Sequence, residues 1–371
     1  MNFIRTNTFL LFTLLNFYCL SAISSEVNLS AEQCNESNTD QCWATADNLD
    51  AQSDYVGAQA YYQKLCTLNV ARGCGRLGWS YWQGEGVDAD ISISQTYYKK
   101  GCDLAHGISC NNLGRMHEEK LIESADMKQA NDLFEKACDL NQLLGCYNIG
   151  YNYIHGEGAK QDVKKGISFY TKACGLGDGD RCDDVGDHYD EIEAYQTALT
   201  FYKKGCALDS GYGCNRAAWS LDSDSNDDVK KDNTLANQFY LKGCELEFGA
   251  SCNNLAREFM HWGEDIDPAT KKDESRGLEL FDLACTLESA SGCTGAGYMY
   301  KNGVGVKVNQ KQANKYFIEG CDALEEPDAA SCYNMGIQYE GGFGVKKNRA
   351  RAKHYFGKAC ELGDEDACES L

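Results

Sequence analysis

The chain has 371 residues, 56 acidic and 35 basic, which gives a formal net charge of −21 at pH 7. A surface this acidic repels phosphate backbones and anionic lipid headgroups, so we expect no nucleic-acid partner. Only two prolines accompany 37 glycines, a composition that favours many helices separated by turns. An all-α protein is therefore the first expectation.

The N-terminus has the pattern of a secretory signal peptide, Met1–Ser25. A positive charge at Arg5 precedes the apolar run Phe9–Leu20, and small residues follow at positions 22 and 24. The run is interrupted by polar residues and is shorter than the ~20 apolar residues of a bilayer span. We therefore predict that it is cleaved, which leaves residues 26–371 as a secreted or periplasmic chain with no membrane insertion.

After the signal peptide the chain contains twenty cysteines, which fall in order into ten couples. Nine couples are spaced by eight residues and one by eleven. Paired zinc ligands usually have spacings of two to four, so an even cysteine count behind a secretory signal predicts disulfides and no metal site. The couples are Cys34/Cys42, Cys66/Cys74, Cys102/Cys110, Cys138/Cys146, Cys174/Cys182, Cys206/Cys214, Cys244/Cys252, Cys285/Cys293, Cys321/Cys332 and Cys360/Cys368.

The spacing of eight also predicts a reversal of the chain inside each couple. Two residues eight apart on one helix are separated by about 12 Å along its axis. Bridged cysteines need Cα atoms within about 7 Å of each other. Each disulfide is therefore expected to join the end of one helix to the start of the next.

The residues before each first cysteine predict one amphipathic helix, called helix B. First cysteines recur every 32 to 41 residues, which is the range of helical-pair repeats. From the second couple on, two bulky apolar residues precede them, and we expect these pairs in the core. The pairs are Tyr61-Tyr62, Tyr97-Tyr98, Leu133-Phe134, Phe169-Tyr170, Phe201-Tyr202, Phe239-Tyr240, Leu280-Phe281, Tyr316-Phe317 and Tyr355-Phe356.

The residues after each second cysteine predict another helix, called helix A. A small residue occurs at the fourth position, where it would let a neighbouring helix approach closely. A ring usually occurs at the seventh position, and several repeats then continue into a glycine turn such as Gly84-Glu85-Gly86. The small residues are Gly78, Gly114, Gly150, Gly186, Ala218, Ala256, Gly297 and Gly336, and the rings are Tyr81, Tyr153, Tyr189, Phe259, Tyr300 and Tyr339.

The repeat resembles a known family. Residues 146–153, followed by Gly156-Glu157-Gly158, look like the Sel-like repeat (SLR), a relative of the tetratricopeptide repeat, and the cysteine couples resemble the secreted Helicobacter-type cysteine-rich proteins. The resemblance covers Cys34 to Cys368, although the repeats at Cys182, Cys214 and Cys252 lack the glycine turn. It implies an all-α, right-handed α/α solenoid of about nine disulfide-stapled helix pairs, in one domain with a short N-terminal lead-in.

The sequence offers little for catalysis. It has no G-x-S-x-G, H-E-x-x-H or P-loop motif, so we name no catalytic residue and no cofactor. The resemblance suggests one alternative, a β-lactam-binding or weakly β-lactam-hydrolysing enzyme, but the S-x-x-K motif of such enzymes is absent. A calcium-like start at Asp222, Asp224 and Asn226 lacks the glycine and glutamate that an EF-hand loop requires.

A protein or extended peptide is the expected partner, bound on the concave face that helix A lines. Polar and aromatic side chains there occupy the second and fifth positions after the second cysteine. The asparagines could bond to a peptide backbone or cap their own helix, and the rings and arginines could anchor a ligand or pack between repeats. The candidates are Asn112, Asn148, Asn254 and Asn334 at the second position, and Trp79, Arg115, Tyr151, Trp219, Arg257 and Tyr298 at the fifth.

A redox or assembly factor is a third possibility, in which one disulfide would be labile. The Cys321/Cys332 couple, with its longer spacing, is the candidate.

Overall fold

The computed structural model describes residues 29–222, 228–262, 270–323 and 326–371. The predicted signal peptide and the calcium-like residues Asp224 and Asn226 lie outside these ranges. Within them the chain forms 19 α-helices and no strand, after one short 3-10 turn at Ala31–Gln33. The helices are α1 Thr39–Ala51, α2 Tyr55–Thr67, α3 Ala71–Gln83, α4 Ile91–Asp103, α5 Gly107–Glu118, α6 Met127–Asp139, α7 Leu143–His155, α8 Val163–Gly175, α9 Gly179–Glu191, α10 Tyr195–Ala207, α11 Gly211–Asp222, α12 Asn233–Glu245, α13 Gly249–Met260, α14 Glu274–Thr286, α15 Ala290–Asn302, α16 Gln310–Cys321, α17 Ala329–Gly341, α18 Arg349–Glu361 and α19 Glu365–Glu369.

The helices divide between two compact units, Met1–Gly145 and Cys146–Leu371. Odd-numbered helices are helix A of the sequence pattern and even-numbered helices are helix B. From α1 to α6 and from α8 to α19 each helix packs against the next one along the chain, and the A helices α3 and α5, and α9 to α17, also contact each other in succession. The predicted all-α solenoid architecture is confirmed.

Most B helices begin at an aspartate or asparagine cap. The side chain of Asp90, for example, accepts a hydrogen bond from the backbone N–H of Ile93 at 2.9 Å. Such a cap satisfies one of the N–H groups that the first turn of a helix leaves without a partner. The same arrangement starts helix B at Asp54, Asp90, Asp126, Asp162, Asp232, Asp273, Asn309 and Asn348.

The two glycines of the turn that ends helix A have different roles. Gly84 adopts a left-handed conformation with φ of 79°, which stops helix α3 as predicted. Gly86 also has positive φ, but a Cβ on it would lie 2.6 Å from the backbone carbonyl carbon of Tyr55. The second glycine therefore lets the turn approach the start of the preceding helix B.

The disulfides from Cys66 onward join helix B to the next helix A, as predicted, whereas Cys34–Cys42 joins the short 3-10 turn to α1. Cys66 lies in the last turn of α2 and Cys74 in the first turn of α3, with Cα atoms 4.6 Å apart. Eight further couples have Cα–Cα distances between 4.5 and 6.0 Å: Cys34–Cys42, Cys102–Cys110, Cys174–Cys182, Cys206–Cys214, Cys244–Cys252, Cys285–Cys293, Cys321–Cys332 and Cys360–Cys368. Cys138 is disulfide-bonded, and so is Cys146.

The small residue of helix A lies against the second ring of the helix-B pair that follows. In six repeats it is glycine, and a Cβ there would lie 2.3 to 2.7 Å from a ring carbon, closer than real Cβ contacts. The predicted close approach of a neighbouring helix is confirmed. The pairs are Gly78 with Tyr98, Gly114 with Phe134, Gly150 with Tyr170, Gly186 with Tyr202, Gly297 with Phe317 and Gly336 with Phe356.

The ring at the seventh position of helix A stacks on the first ring of the same helix-B pair. Tyr81 and Tyr97, for example, have ring centroids 5.6 Å apart and an interplanar angle of 14°. A repeat with rings at both positions therefore has one buried ring, which packs on the glycine, and one stacked pair of rings at its edge. The other stacked pairs are Tyr153 with Phe169, Tyr189 with Phe201, Tyr300 with Tyr316 and Tyr339 with Tyr355.

We expect Gly297→Ala to destabilise the protein by about 1–3 kcal/mol, because the new methyl group overlaps the fully buried Phe317 ring. Gly357→Ala is the matched control. It lies inside helix α18, where a Cβ would meet only Leu371, at 4.0 Å, so the better helix propensity of alanine should stabilise by up to about 1 kcal/mol. Denaturant unfolding of both variants measures the difference. Equal effects of the two substitutions would contradict the packing role of Gly297.

The longer spacing of Cys321 and Cys332 does not expose their disulfide, since both residues are almost fully buried. Cys368 is exposed instead, and its partner Cys360 is half-buried. We therefore expect limiting reductant under native conditions to open Cys360–Cys368 before Cys321–Cys332. Alkylation followed by peptide mass spectrometry measures the order, and earlier labelling of Cys321 and Cys332 would revive that couple as the labile one.

Candidate functional site

The A helices of the second unit form one side of its stack of helix pairs. Successive A helices there contact each other more extensively than successive B helices do. Closer approach on one side is what curvature produces in a stack of helix pairs. Side chains that point away from helix B on α9 to α17 therefore share one face, which we call the helix-A face.

A cavity of about 470 Å³ opens on the helix-A face between α13 and α15. Two predicted residues line it, Arg257 from α13 and Tyr298 from α15. Trp262 and Phe281 form its aromatic wall, and Asp328 lies at the side that faces helix α17. The structure therefore brings together two fifth-position side chains from successive repeats.

The aromatic wall of the cavity is preorganised. The ring of Trp262 meets the ring of Tyr298 edge to face, with centroids 5.2 Å apart, and stacks on Phe281 at 5.3 Å. Phe281 is buried and fixed in the core, whereas Tyr298 is 46% exposed. The Tyr298 ring thus offers apolar area to a ligand without having to move first.

The charged groups of the cavity differ in how they are held. The Asp328 carboxylate caps helix α17 by accepting from Ser331 N at 2.8 Å, and it also accepts from Thr294 Oγ1 at 2.8 Å. The exposed Arg257 side chain makes no hydrogen bond or ion pair within the described part of the chain. Arg257 is therefore the charge that is available to a ligand.

The other fifth-position residues lie at varied depth. Tyr151 and Trp219 are exposed at 37% and 40%, with Tyr151 stacked on His155 at 4.0 Å and Trp219 under the Arg216 guanidinium at 5.0 Å. In the first unit Arg115 is ion-paired with Glu119 at 2.6 Å, and Trp79 is half-buried against a hydrophobic cluster.

The second-position asparagines are engaged within the protein. Asn254 donates from Nδ2 to Asn215 Oδ1 at 3.2 Å, a bond between successive A helices. Asn334 accepts from Lys301 Nζ at 2.7 Å and donates to the Ala330 carbonyl at 2.8 Å. Asn112 is half-buried and accepts from Asn111, and the half-buried Asn148 also has an interaction partner. The bonds of Asn254 and Asn334 link neighbouring repeats and do not cap a helix start.

The lining residues Trp262, Thr294 and Asp328 are among those that the sequence did not identify as part of a site. Trp262 follows helix α13 in a repeat that lacks the glycine turn, so the repeat pattern assigns it no position. Asp328 lies four residues before Cys332 and is recognisable from the sequence as a helix cap, though not as part of a site.

A buried carboxyl group lies elsewhere in the second unit, on helix α9. Asp183 is 4% exposed, accepts a hydrogen bond from the Ser210 hydroxyl, and lies against Gly205 and Gly213. Burial raises the pKa of Asp183 to about 7, an effect that Ser210 reduces and nearby carboxylates such as Asp180 reinforce. Among the described residues no cation pairs with the Asp183 carboxylate.

Two further observations bear on chemistry. In the described part of the chain one group of side chains has the geometry of a metal site, but its two cysteines, Cys285 and Cys293, form a disulfide and offer no thiolate beside Glu319. No helix among the described residues combines the length and apolarity that a membrane crossing requires.

Comparison with known proteins identifies the repeat. The family model for the Sel1 repeat matches residues 71–106, 107–142, 143–178, 212–248, 249–289, 290–323 and 329–364. No curated protein matches the sequence.

Solved structures show similar folds at low sequence identity. A protective antigen of uropathogenic Escherichia coli strains that displays an SLR fold is 19% identical, over 89% of this chain and 70% of that one, with a TM-score of 0.70. A Sel1 repeat protein from Oxalobacter formigenes is 16% identical, over 84% and 88%, with a TM-score of 0.66. Helicobacter pylori cysteine rich protein B is 25% identical, over 48% and 95%, with a TM-score of 0.23.

Asp183→Asn tests the buried carboxyl group. The unfolded chain releases this proton at about pH 3.9, so the stabilisation from native protonation is complete below about pH 4 and is lost as the pH rises to about 7. The asparagine variant should match the wild type near pH 4 and become more stable than it by pH 8, by about 1.4 kcal/mol for each tenfold difference in acidity between the folded and unfolded carboxyl group. Urea unfolding across this range measures the effect. Asp103→Asn, at an exposed aspartate, should show no such divergence.

Proposed function

Since this chain belongs to the Sel1 repeat family, whose repeats form a protein-interaction scaffold, we propose that it is a secreted or periplasmic protein that binds a partner protein or extended peptide on its helix-A face. One observation carries the proposal. Arg257 and Tyr298, from successive A helices, line one cavity together with Trp262 and Asp328.

The cavity suits a side chain of a partner that combines an apolar body with a nearby negative charge. Interface anchors are typically aromatic or aliphatic groups that fill a pocket and lose their water. Tyr298 and Trp262 would supply the apolar contact, and the Arg257 guanidinium would bind a carboxylate of the partner. The fixed carboxylate of Asp328 would reject a second acidic group on its side of the cavity.

The remaining candidate residues would extend the contact along the helix-A face. On the helix-A face, Trp219 exposes a large ring at the equivalent position of α11, and Tyr151 exposes one at that position of α7, which precedes this face along the chain. The bonds of Asn254 and Asn334 keep neighbouring repeats in register, and their amides would reach a peptide backbone only by exchanging these bonds. We therefore assign the main contacts to the fifth-position residues and the register to the asparagines.

The disulfides support the proposed location. This many disulfides are typical of proteins in an oxidising compartment such as the extracellular space or the periplasm. A signal peptide at Met1–Ser25 would provide the route. The alternative of a β-lactam-binding or hydrolysing enzyme rests on the family resemblance alone, and a nitrocefin assay tests it.

Peptide selection tests the helix-A face directly. A random peptide library displayed on phage would be selected against the oxidised protein, and the enriched peptides would then be measured by titration against variants. Tyr298→Ala and Arg257→Ala should each weaken binding at least tenfold, because they remove the apolar wall and the available cation of the cavity. Phe343→Ala, at a ring 52% exposed in the turn after α17, is the control and should leave affinity within twofold.

The sequences of the selected peptides give a second readout. We expect an aromatic or large aliphatic residue next to an acidic residue. Peptides that bind Tyr298→Ala and Arg257→Ala as tightly as the wild type would contradict the assignment of this cavity. Binding lost in Phe343→Ala instead would place the interface at the turns.

A further inference from the structure

A lysine two residues before the first cysteine recurs in helix B. In three repeats its ammonium group reaches the preceding repeat and binds the carbonyl oxygen of that repeat's first cysteine, at the C-terminus of the preceding helix B. Lys100 Nζ lies 2.7 Å from Cys66 O, and Lys358 Nζ lies 3.3 Å from Cys321 O. A cation there satisfies a carbonyl at the negative end of a helix.

The junction between α10 and α12 shows the complete arrangement. Lys242 Nζ lies 2.6 Å from the Cys206 carbonyl oxygen and 3.3 Å from Oδ1 of Asp209. Asp209 is the residue with positive φ three positions after the cysteine. The ammonium group is therefore held by one carbonyl and one carboxylate.

The junction between α14 and α16 keeps the acceptors but has lost the lysine. Glu288 replaces Asp209, again three residues after its cysteine and with positive φ. The lysine position is occupied by Glu319, whose Oε2 lies 3.7 Å from the Cys285 sulfur. A carboxylate has replaced an ammonium group at the C-terminus of a helix, where negative charge is unfavourable.

A cavity of about 410 Å³ occupies this junction. Cys285, Glu288, Glu319 and Asp322 line it, and the apolar side chain of Ile318 forms part of its wall. None of its lining residues belongs to the cavity at Arg257. It is a separate site at the turns between helix B and helix A.

The lysines near this junction compensate the charge of its three carboxylates only in part. Lys315 Nζ lies 3.5 Å from Oε1 of Glu319. Both side chains are exposed, and exposed ion pairs contribute little to stability. Lys358 lies 2.6 Å from Asp322 and binds the Cys321 carbonyl of the next junction. Glu288 has no side-chain partner within the described residues.

We propose that this cavity binds a primary ammonium group, the side chain of a lysine on the partner protein, which takes the place that Lys100, Lys242 and Lys358 take at three other junctions. The ammonium group would bind the Cys285 carbonyl, Glu288 and Glu319. The inference rests on the proposed protein-binding function only in that a partner supplies the lysine, and it adds a second contact on a different edge of the second unit.

A small ammonium compound tests the site without the partner. n-Butylammonium chloride would be titrated into the protein at constant ionic strength, with backbone amide chemical shifts as the readout. We expect saturable shifts confined to residues 285–290 and 318–322. Glu319→Lys should weaken this binding at least tenfold, because it supplies the ammonium group within the chain. Glu340→Lys makes the same charge change at an exposed position of α17 and should leave the affinity within twofold.

Three outcomes would overturn the proposal: no saturable shifts in the wild type, equal binding by wild type and Glu319→Lys, or displacement of butylammonium by equimolar calcium. Should Glu319→Lys fail to fold by circular dichroism, Glu319→Gln replaces it, with a severalfold loss expected and unchanged binding contradicting the site. Failure of this titration leaves the peptide-selection result at Arg257 and Tyr298 untouched, so the two proposals are tested separately.

Discussion

The contact between a glycine of helix A and a ring of helix B is the constraint on which each repeat depends. Gly297 and Phe317 show it clearly, since any side chain at position 297 would overlap a ring that has no exposed surface. Glycine is costly inside a helix, by about 1 kcal/mol relative to alanine. The cost is offset by burial of a whole aromatic side chain, which contributes about 1.5–3 kcal/mol. The spacing of the two helices follows from this contact.

The disulfides hold a different interface between the helices. The glycine contact joins helix A to the helix B after it, whereas Cys66–Cys74 and its equivalents join helix B to the next helix A. Lysines such as Lys242 and asparagine bonds such as Asn254 with Asn215 then connect neighbouring repeats. Covalent, apolar and polar interactions thus hold successive interfaces of the stack, so each interface has its own dominant interaction.

Much of this fold could be predicted from the sequence because its rules are local. The eight-residue spacing of Cys66 and Cys74 requires a reversal of the chain, and the recurrence of Gly78 and Tyr98 fixes two helix faces. The candidate site could be predicted only in part. Arg257 and Tyr298 could be predicted from their position in the repeat. Trp262 lies in a segment without the repeat pattern, and the position of Asp328 predicts only a helix cap. The bonds of Asn254 depend on a helix 39 residues away along the chain, which a single repeat does not reveal.

Function in a repeat protein is expected where a residue departs from what packing requires. Most second-position and junction residues are explained by bonds inside the protein, as Asn334 and Lys242 show. Arg257 makes no such bond within the described residues, and Glu319 places a carboxylate where Lys242 places an ammonium group in another repeat. Neither residue improves the stack, and each lies beside a cavity. In so regular a scaffold, Arg257 without a partner among the described residues and Glu319 at a lysine position lower the stability only slightly. One partner that presents an acidic anchor and a lysine would neutralise both charges.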